Sequence, residues 1–98
     1  MDKLESKFQA QVLRWLEENV GGHWINLVIS ALHKKGEPDI IGVKDGRFYA
    51  FELKVKNKKP TKLQKHKLEK IKQNGGIAMV IRNICQLEKL FNEGEGEE

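Results

Sequence analysis

Apolar residues recur at helical spacing from Asp2 to about Glu18, at Leu4, Phe8, Val12, Trp15 and Leu16, and predict an amphipathic helix ended by Gly21-Gly22. The pattern then shortens. HWINLVIS, from His23 to Ser30, is a run of β-formers and predicts a strand. After the polar loop ALHKKGEP, the segments Asp39 to Lys44 and Arg47 to Val55 read as two strands joined by Asp45-Gly46, a strong two-residue hairpin signal. The turn NKKPT leads into a helix capped by Thr61 and running to about Gln73, with Leu63, Leu68 and Ile71 as its apolar positions. Asn74-Gly75-Gly76 stops it, IAMVIR predicts a fourth strand, and Asn83 caps a last helix through about Asn92. The order α-β-β-β-α-β-α predicts an α/β domain. Its mixed four-stranded sheet, flanked by helices, has three meandering strands and one that returns through a helical crossover. Residues 1–92 are expected to form one domain, and the acidic EGEGEE of 93–98 a disordered tail.

The hairpin carries an anomaly. Counting outward from Asp45-Gly46, Lys44 opposes Arg47, Val43 opposes Phe48, Ile41 opposes Ala50 and Asp39 opposes Glu52. Opposed residues share a sheet face with Cβ atoms about 5 Å apart, and Lys54, two residues beyond Glu52, projects from that face as well. Tyr49, Phe51, Leu53 and Val55 point the other way, into apolar packing. Two facing carboxylates repel, so something compensates. Lys54 alone, in a structural ion pair, is one reading; a divalent cation with oxygen ligands, of the Mg²⁺ or Mn²⁺ kind, is the other. In the first helix Glu5 falls within about 20° of Val12 and Leu16 at 100° per residue, centred on the core-facing stripe. Either it meets a partner at the sheet, as a third carboxylate near the pair, or it serves the helix dipole from the first turn. Gln64, taken alone, reads as a surface glutamine. His23, His33 and His66 form no constellation, and with one cysteine they argue against a zinc site.

Composition changes the picture only where charge is located. The 98 residues carry 18 basic and 14 acidic side chains, net +4, but four of the acids lie in the tail, leaving +8 on the rest. Lys54 to Lys72 contains nine lysines and one acid, Glu69. Such a block suits a polyanion partner or serves only as a solubilising face. The chain has no apolar run of about 18 residues to span a membrane and no secretory h-region at MDKLESKFQAQ. The single Cys85 excludes an internal disulfide and fits a reducing, cytoplasmic setting. It continues the apolar run from Ile77 and is expected to pack as a small residue rather than act as a nucleophile. Leu90 and Phe91 of the last helix are candidates either for the core or for a subunit contact.

GEPDIIGV followed by FELKVK resembles the PD-(D/E)xK nuclease signature: Pro38-Asp39, twelve residues, then Glu52-Leu53-Lys54. More narrowly, ESKFQAQVLRWL, PTKLQKHKLEKIKQNGG and IAMVIRN resemble the minimal stand-alone virus-type replication-repair nuclease (VRR-NUC) domain, over about Glu5 to Asn83. The resemblance implies a restriction-endonuclease-like core and a metal-dependent DNA endonuclease that acts on branched DNA such as four-way junctions or flaps. Its compact phage-type members tend to pair as homodimers. It implies Asp39, Glu52 and the Leu53 carbonyl as metal ligands, Lys54 as the group that positions or activates water, and Glu5 and Gln64 as supports of the metal or its water. Lys56, Lys58, Lys59, Lys62 and Lys65 would then contact the DNA backbone, which positions without reading bases. Two rivals share the fold: a non-catalytic nucleic-acid-binding module, and an interaction protein whose charges are surface ion pairs.

Overall fold

The computed structural model describes residues 3–29 and 33–93. Helix α1 (Lys3–Asn19) precedes strand β1 (His23–Asn26), a single 3₁₀ turn (Leu27–Ile29), and strands β2 (Ile40–Lys44) and β3 (Arg47–Leu53). Helix α2 (Lys62–Gln73), strand β4 (Ile77–Ile81), helix α3 (Ile84–Glu88) and a wide π-type turn (Lys89–Glu93) complete the order. The strands lie in the sheet in chain order, β1-β2-β3 antiparallel and β4 parallel to β3. This is the expected mixed α/β sheet with one helical crossover, consistent with a restriction-endonuclease-like fold.

The turn works as its sequence demands. Asp45 (φ 52°) and Gly46 (φ 79°) both take the left-handed conformation that a type I′ hairpin requires. The register follows: Lys44 pairs with Arg47, Val43 with Phe48 and Ile41 with Ala50. Strand alternation then sorts β3 onto two faces. Tyr49, Phe51 and Leu53 face a core closed by Phe8, Val12 and Leu16 of α1, together with Leu87 and Phe91. Phe91 lies 5.1 Å from Tyr49, centroid to centroid, and Leu90 packs against the same cluster, so both complete the core. The opposite face is thinner. There Ala50 and Ala78 let α2 settle close, through Leu68 and Ile71.

Several expected boundaries move for local reasons. The strand from His23 stops at Asn26, not Ser30, because the Asn26 Oδ1 accepts from Val28 N at 3.0 Å and bends the chain into the 3₁₀ turn. Ser30 itself, like Asp2 and most of the acidic tail (94–98), lies outside the described residues. Asp39 sits just before the β2 ladder, its N–H on the Phe51 carbonyl at 3.0 Å. β3 ends at Leu53 rather than Val55, since Lys54 N turns to the Ile81 carbonyl and Lys56 adopts a positive φ of 54°. Leu4 is 44% exposed rather than on the buried stripe, which begins at Phe8. Cys85 is exposed on α3, contrary to the packed position expected; the apolar run is broken at Arg82-Asn83, and Leu87 takes the buried side of the helix.

Gly42 shows how tightly the main core is set against the sheet. A Cβ there would meet Trp24 Cε3 at 2.3 Å and the His23 carbonyl at 2.4 Å, and neither can yield freely. Gly42→Ala is therefore expected to destabilise the fold by about 1–3 kcal/mol, read as a lowered melting temperature. An unchanged melting temperature would mean that the indole can shift within the aromatic cluster.

Candidate active site

The hairpin register brings Asp39 and Glu52 together at the end of β3, on the face covered by α2. Pro38, fully buried, leads into Asp39, whose N–H is tied to Phe51 and whose carbonyl accepts from Leu27 N at 2.8 Å. The Asp39 Oδ2 accepts the Leu53 N–H at 2.9 Å, so the side chain replaces a ladder partner where the strands part. Glu52 is 2% exposed. Its Oε2 accepts from Gln64 Nε2 at 2.9 Å and lies 3.5 Å from Lys54 Nζ; its Oε1 is buried without a hydrogen-bond partner.

Gln64 is placed by helix capping. Thr61 Oγ1 accepts from Gln64 N at 3.1 Å, and the Gln64 Oε1 accepts from Thr61 N at 2.8 Å, a reciprocal capping box. With its oxygen committed to the cap, the amide nitrogen points at Glu52. Far from being a free surface residue, Gln64 couples the first turn of α2 to the acid pair.

Glu5 reaches the same recess, of about 210 Å³, which is lined by Asp39, Glu52, Lys54 and Gln64. Its carboxylate forms an ion pair with Lys58. Among the described residues no group of three His, Cys, Asp or Glu is placed to hold a metal, so Glu5 lines the recess without making the carboxylate pair a triad. Lys56, Lys59, Lys62 and Lys65 are exposed and stand outside the recess; Lys58, also exposed, lies on its rim. Two residues escape the sequence reading. Gln9, 6% exposed, lines the recess one helical turn after Glu5, and its i+4 spacing from that glutamate is the signal that could have found it. His33 also lines it, with Nε2 4.0 Å from Asp39 Oδ1; a histidine in a polar loop gave no such signal.

Burial, and then the Asp39 charge, push the Glu52 carboxyl up to about 8, against the opposing pull of Lys54. Asp39 is also raised, by burial first, although the Leu53 amide, His33 and Lys54 pull it back. A carboxyl with one unpartnered buried oxygen and a neighbouring acid fits a hard cation, which would satisfy the oxygen and relieve both repulsion and desolvation. The donor set that such an ion would meet is the pair of carboxylates, Asp39 and Glu52.

A family model described as archaeal Holliday junction resolvase (Hjc) matches residues 6–81, which includes Asp39, Glu52, Lys54 and Gln64 and begins one residue after Glu5. No curated protein and no solved structure matches the chain.

The raised Glu52 carboxyl makes stability depend on pH. Between the ordinary value near 4.5 and about 8 the native state keeps a proton that the unfolded chain has lost, so metal-free protein should lose stability as pH rises through that window. The slope for this one group is at most about 1.4 kcal/mol per pH unit. Glu52→Gln should flatten it in denaturant titrations between pH 5 and 8. A slope unchanged by the substitution would mean that Glu52 does not hold the proton.

Proposed function

The chain belongs to the archaeal Holliday junction resolvase family, nucleases of the PD-(D/E)xK type that act on DNA junctions with divalent metal, and on that premise we propose that it is an endonuclease hydrolysing phosphodiester bonds in branched DNA, with Mg²⁺ or Mn²⁺. The single observation that carries the reading is the buried Asp39–Glu52 pair with Lys54 beside it and one Glu52 oxygen left without a partner. A module that only bound DNA would gain nothing from two acids aimed at phosphates.

Asp39 Oδ1, Glu52 Oε1 and the Leu53 carbonyl would hold the ion. When bound, a divalent cation supplies polarisation of a phosphoryl oxygen and a water of lowered pKa. Lys54, with its side chain 16% exposed, stays close enough to Glu52 to orient the attacking water and to stabilise the charge that develops on phosphorus oxygens. Gln64 keeps Glu52 from rotating. Glu5, paired with Lys58, supports the water from the far wall of the recess. The exposed Lys56, Lys58, Lys59, Lys62 and Lys65 contact the DNA backbone, so selectivity comes from the shape of the branch rather than from base sequence. The narrower likeness to virus-type, phage-associated replication-repair nucleases belongs to this proposal, supported by Glu5 and Gln64 meeting at one recess with the acid pair. So does an intracellular role in DNA repair, since the DNA substrate lies there; no helix among the described residues is long and apolar enough to cross a membrane.

Resolution of a four-way junction needs two cuts related by a twofold, which favours a homodimer. Leu90 and Phe91 are occupied by the core. Apolar surface is left on the α2 side of the sheet beyond that helix, where Ile25, Val43 and Phe48 are each more than 40% exposed and share a face.

Labelled four-way junctions are expected to be cut in Mg²⁺ or Mn²⁺ and left whole in EDTA or by Glu52→Gln. Lys54→Ala should lower kcat about a hundredfold while binding junctions normally. Full activity in EDTA, or in Lys54→Ala, would remove the mechanism. In sedimentation at micromolar concentration the wild type should run as two chains of 11.3 kDa and Phe48→Glu as one; a variant that stays paired would place the contact elsewhere.

A further inference from the structure

The two carboxylate oxygens of Asp39 are held unequally, and the difference points to a residue outside the nuclease signature. Oδ2 is fixed by the Leu53 N–H at 2.9 Å, whereas Oδ1 faces His33 Nε2 at 4.0 Å. The same Nε2 lies 3.2 Å from the Glu37 carbonyl oxygen. A carbonyl only accepts, so this nitrogen carries the proton. The ring is not loosely placed. Its loop closes on itself through Glu37 N, which donates to the Lys34 carbonyl at 3.1 Å. Gly36, at φ 86°, rests so closely on α2 that a Cβ would come within 2.5 Å of Leu63 Cγ. Pro38 is fully buried behind it. The imidazole thus stands as part of the recess wall, its side chain 26% exposed, with its N–H beside the Asp39 oxygen that no backbone group holds.

We propose that His33 is a positioning residue for Asp39: its Nε2–H turns from the Glu37 carbonyl to Oδ1 and fixes that oxygen as the one presented to the cation. The step requires the ring to move by only about 1 Å to reach hydrogen-bond distance. Without it the carboxylate keeps its Leu53 contact on Oδ2 but nothing from His33 fixes Oδ1. Carboxylates that bind metals are themselves hydrogen-bonded as a rule, and loss of such an outer partner lowers metal affinity about 10- to 100-fold. The inference rests on the metal-dependent reading given above.

The test is Mn²⁺ binding, by calorimetry, to the wild type, His33→Phe, His33→Gln and Glu52→Gln, with melting of each metal-free protein as the control for folding. Phenylalanine keeps the ring and removes the donor; glutamine keeps an N–H within reach. The expected result is a 10- to 100-fold weaker Mn²⁺ affinity for His33→Phe, substantial recovery in His33→Gln, and junction cleavage by His33→Phe restored toward wild type by excess Mn²⁺. Wild-type affinity in His33→Phe, or equal loss in both His33 variants, overturns the role of the imidazole while leaving the metal site standing. A wild type that binds no Mn²⁺, indistinguishable from Glu52→Gln, removes the underlying reading and the His33 role with it.

Discussion

Everything at the candidate active site depends on two acids being held together out of water. Asp39 and Glu52 are 8% and 2% exposed; burial works against the ionisation of both, and the Asp39 charge adds to it at Glu52. No local preference would place them so. The Asp45-Gly46 turn does, because its two left-handed residues set a register in which the pair lies at the open end of the hairpin. A slip of one residue would send Glu52 to the aromatic core and Phe51 to the site. That exchange is excluded by the packing of Tyr49, Phe51 and Leu53 against α1 and Phe91, so the larger core enforces the smaller, unfavourable contact.

The two faces of the sheet divide the work. One carries twelve buried apolar residues and most of the burial that holds the fold, and it could accept no charge. The other carries a smaller apolar cluster of Ala50, Leu68 and Ala78, which lets α2 approach closely enough for its first turn to reach β3. Gln64 uses that approach twice, closing the cap of α2 with its oxygen and holding Glu52 with its nitrogen. The side chain that starts the helix therefore also stiffens the acid pair, and a site built on regular elements is held more sharply than one built on loops. Asp39 is the exception, since its approach runs through the 33–38 loop. That difference is why the contacts of His33, Gly36 and Pro38 matter there and have no counterpart around Glu52.

How much of this the sequence discloses depends on how local each cause is. The turn, the register, the acid pair and Lys54 are legible because a two-residue turn and strand alternation determine them over sixteen residues. Both helix caps, Thr61 and Asn83, are legible for the same reason. The link from Gln64 to Glu52 is not, because it requires knowing how α2 lies on the sheet. Glu5 is half legible: its angle on the helix places it toward the sheet, but its pairing with Lys58 joins residues 53 apart in the chain. The early end of β1 turns on one Asn26 side-chain hydrogen bond that competes with the ladder, and such competition leaves no trace in an apolar run.

The surface and the recess pull in opposite directions, and the conflict itself constrains the chemistry. On the proposed reading, the exposed lysines from Lys56 to Lys65 would draw a polyanion to the protein over distances set by salt screening. At the recess the same polyanion would meet the buried Asp39–Glu52 pair, with Lys54 beside it and Glu5 already paired to Lys58 on the rim, so on the proposed reading a phosphate approaches only when the negative charge of the pair is neutralised. Protonation achieves this for Glu52 below about pH 8, but a protonated acid is a poor ligand and leaves the reaction without its cation. A divalent ion held there would neutralise the pair while keeping both carboxylates ionised. On that reading phosphate and ion would favour each other's binding, and by linkage the coupling would be equal in both directions. The basic surface alone would bind DNA anywhere; the acid pair, on the proposed reading, would let it close on a phosphate only when the ion is in place.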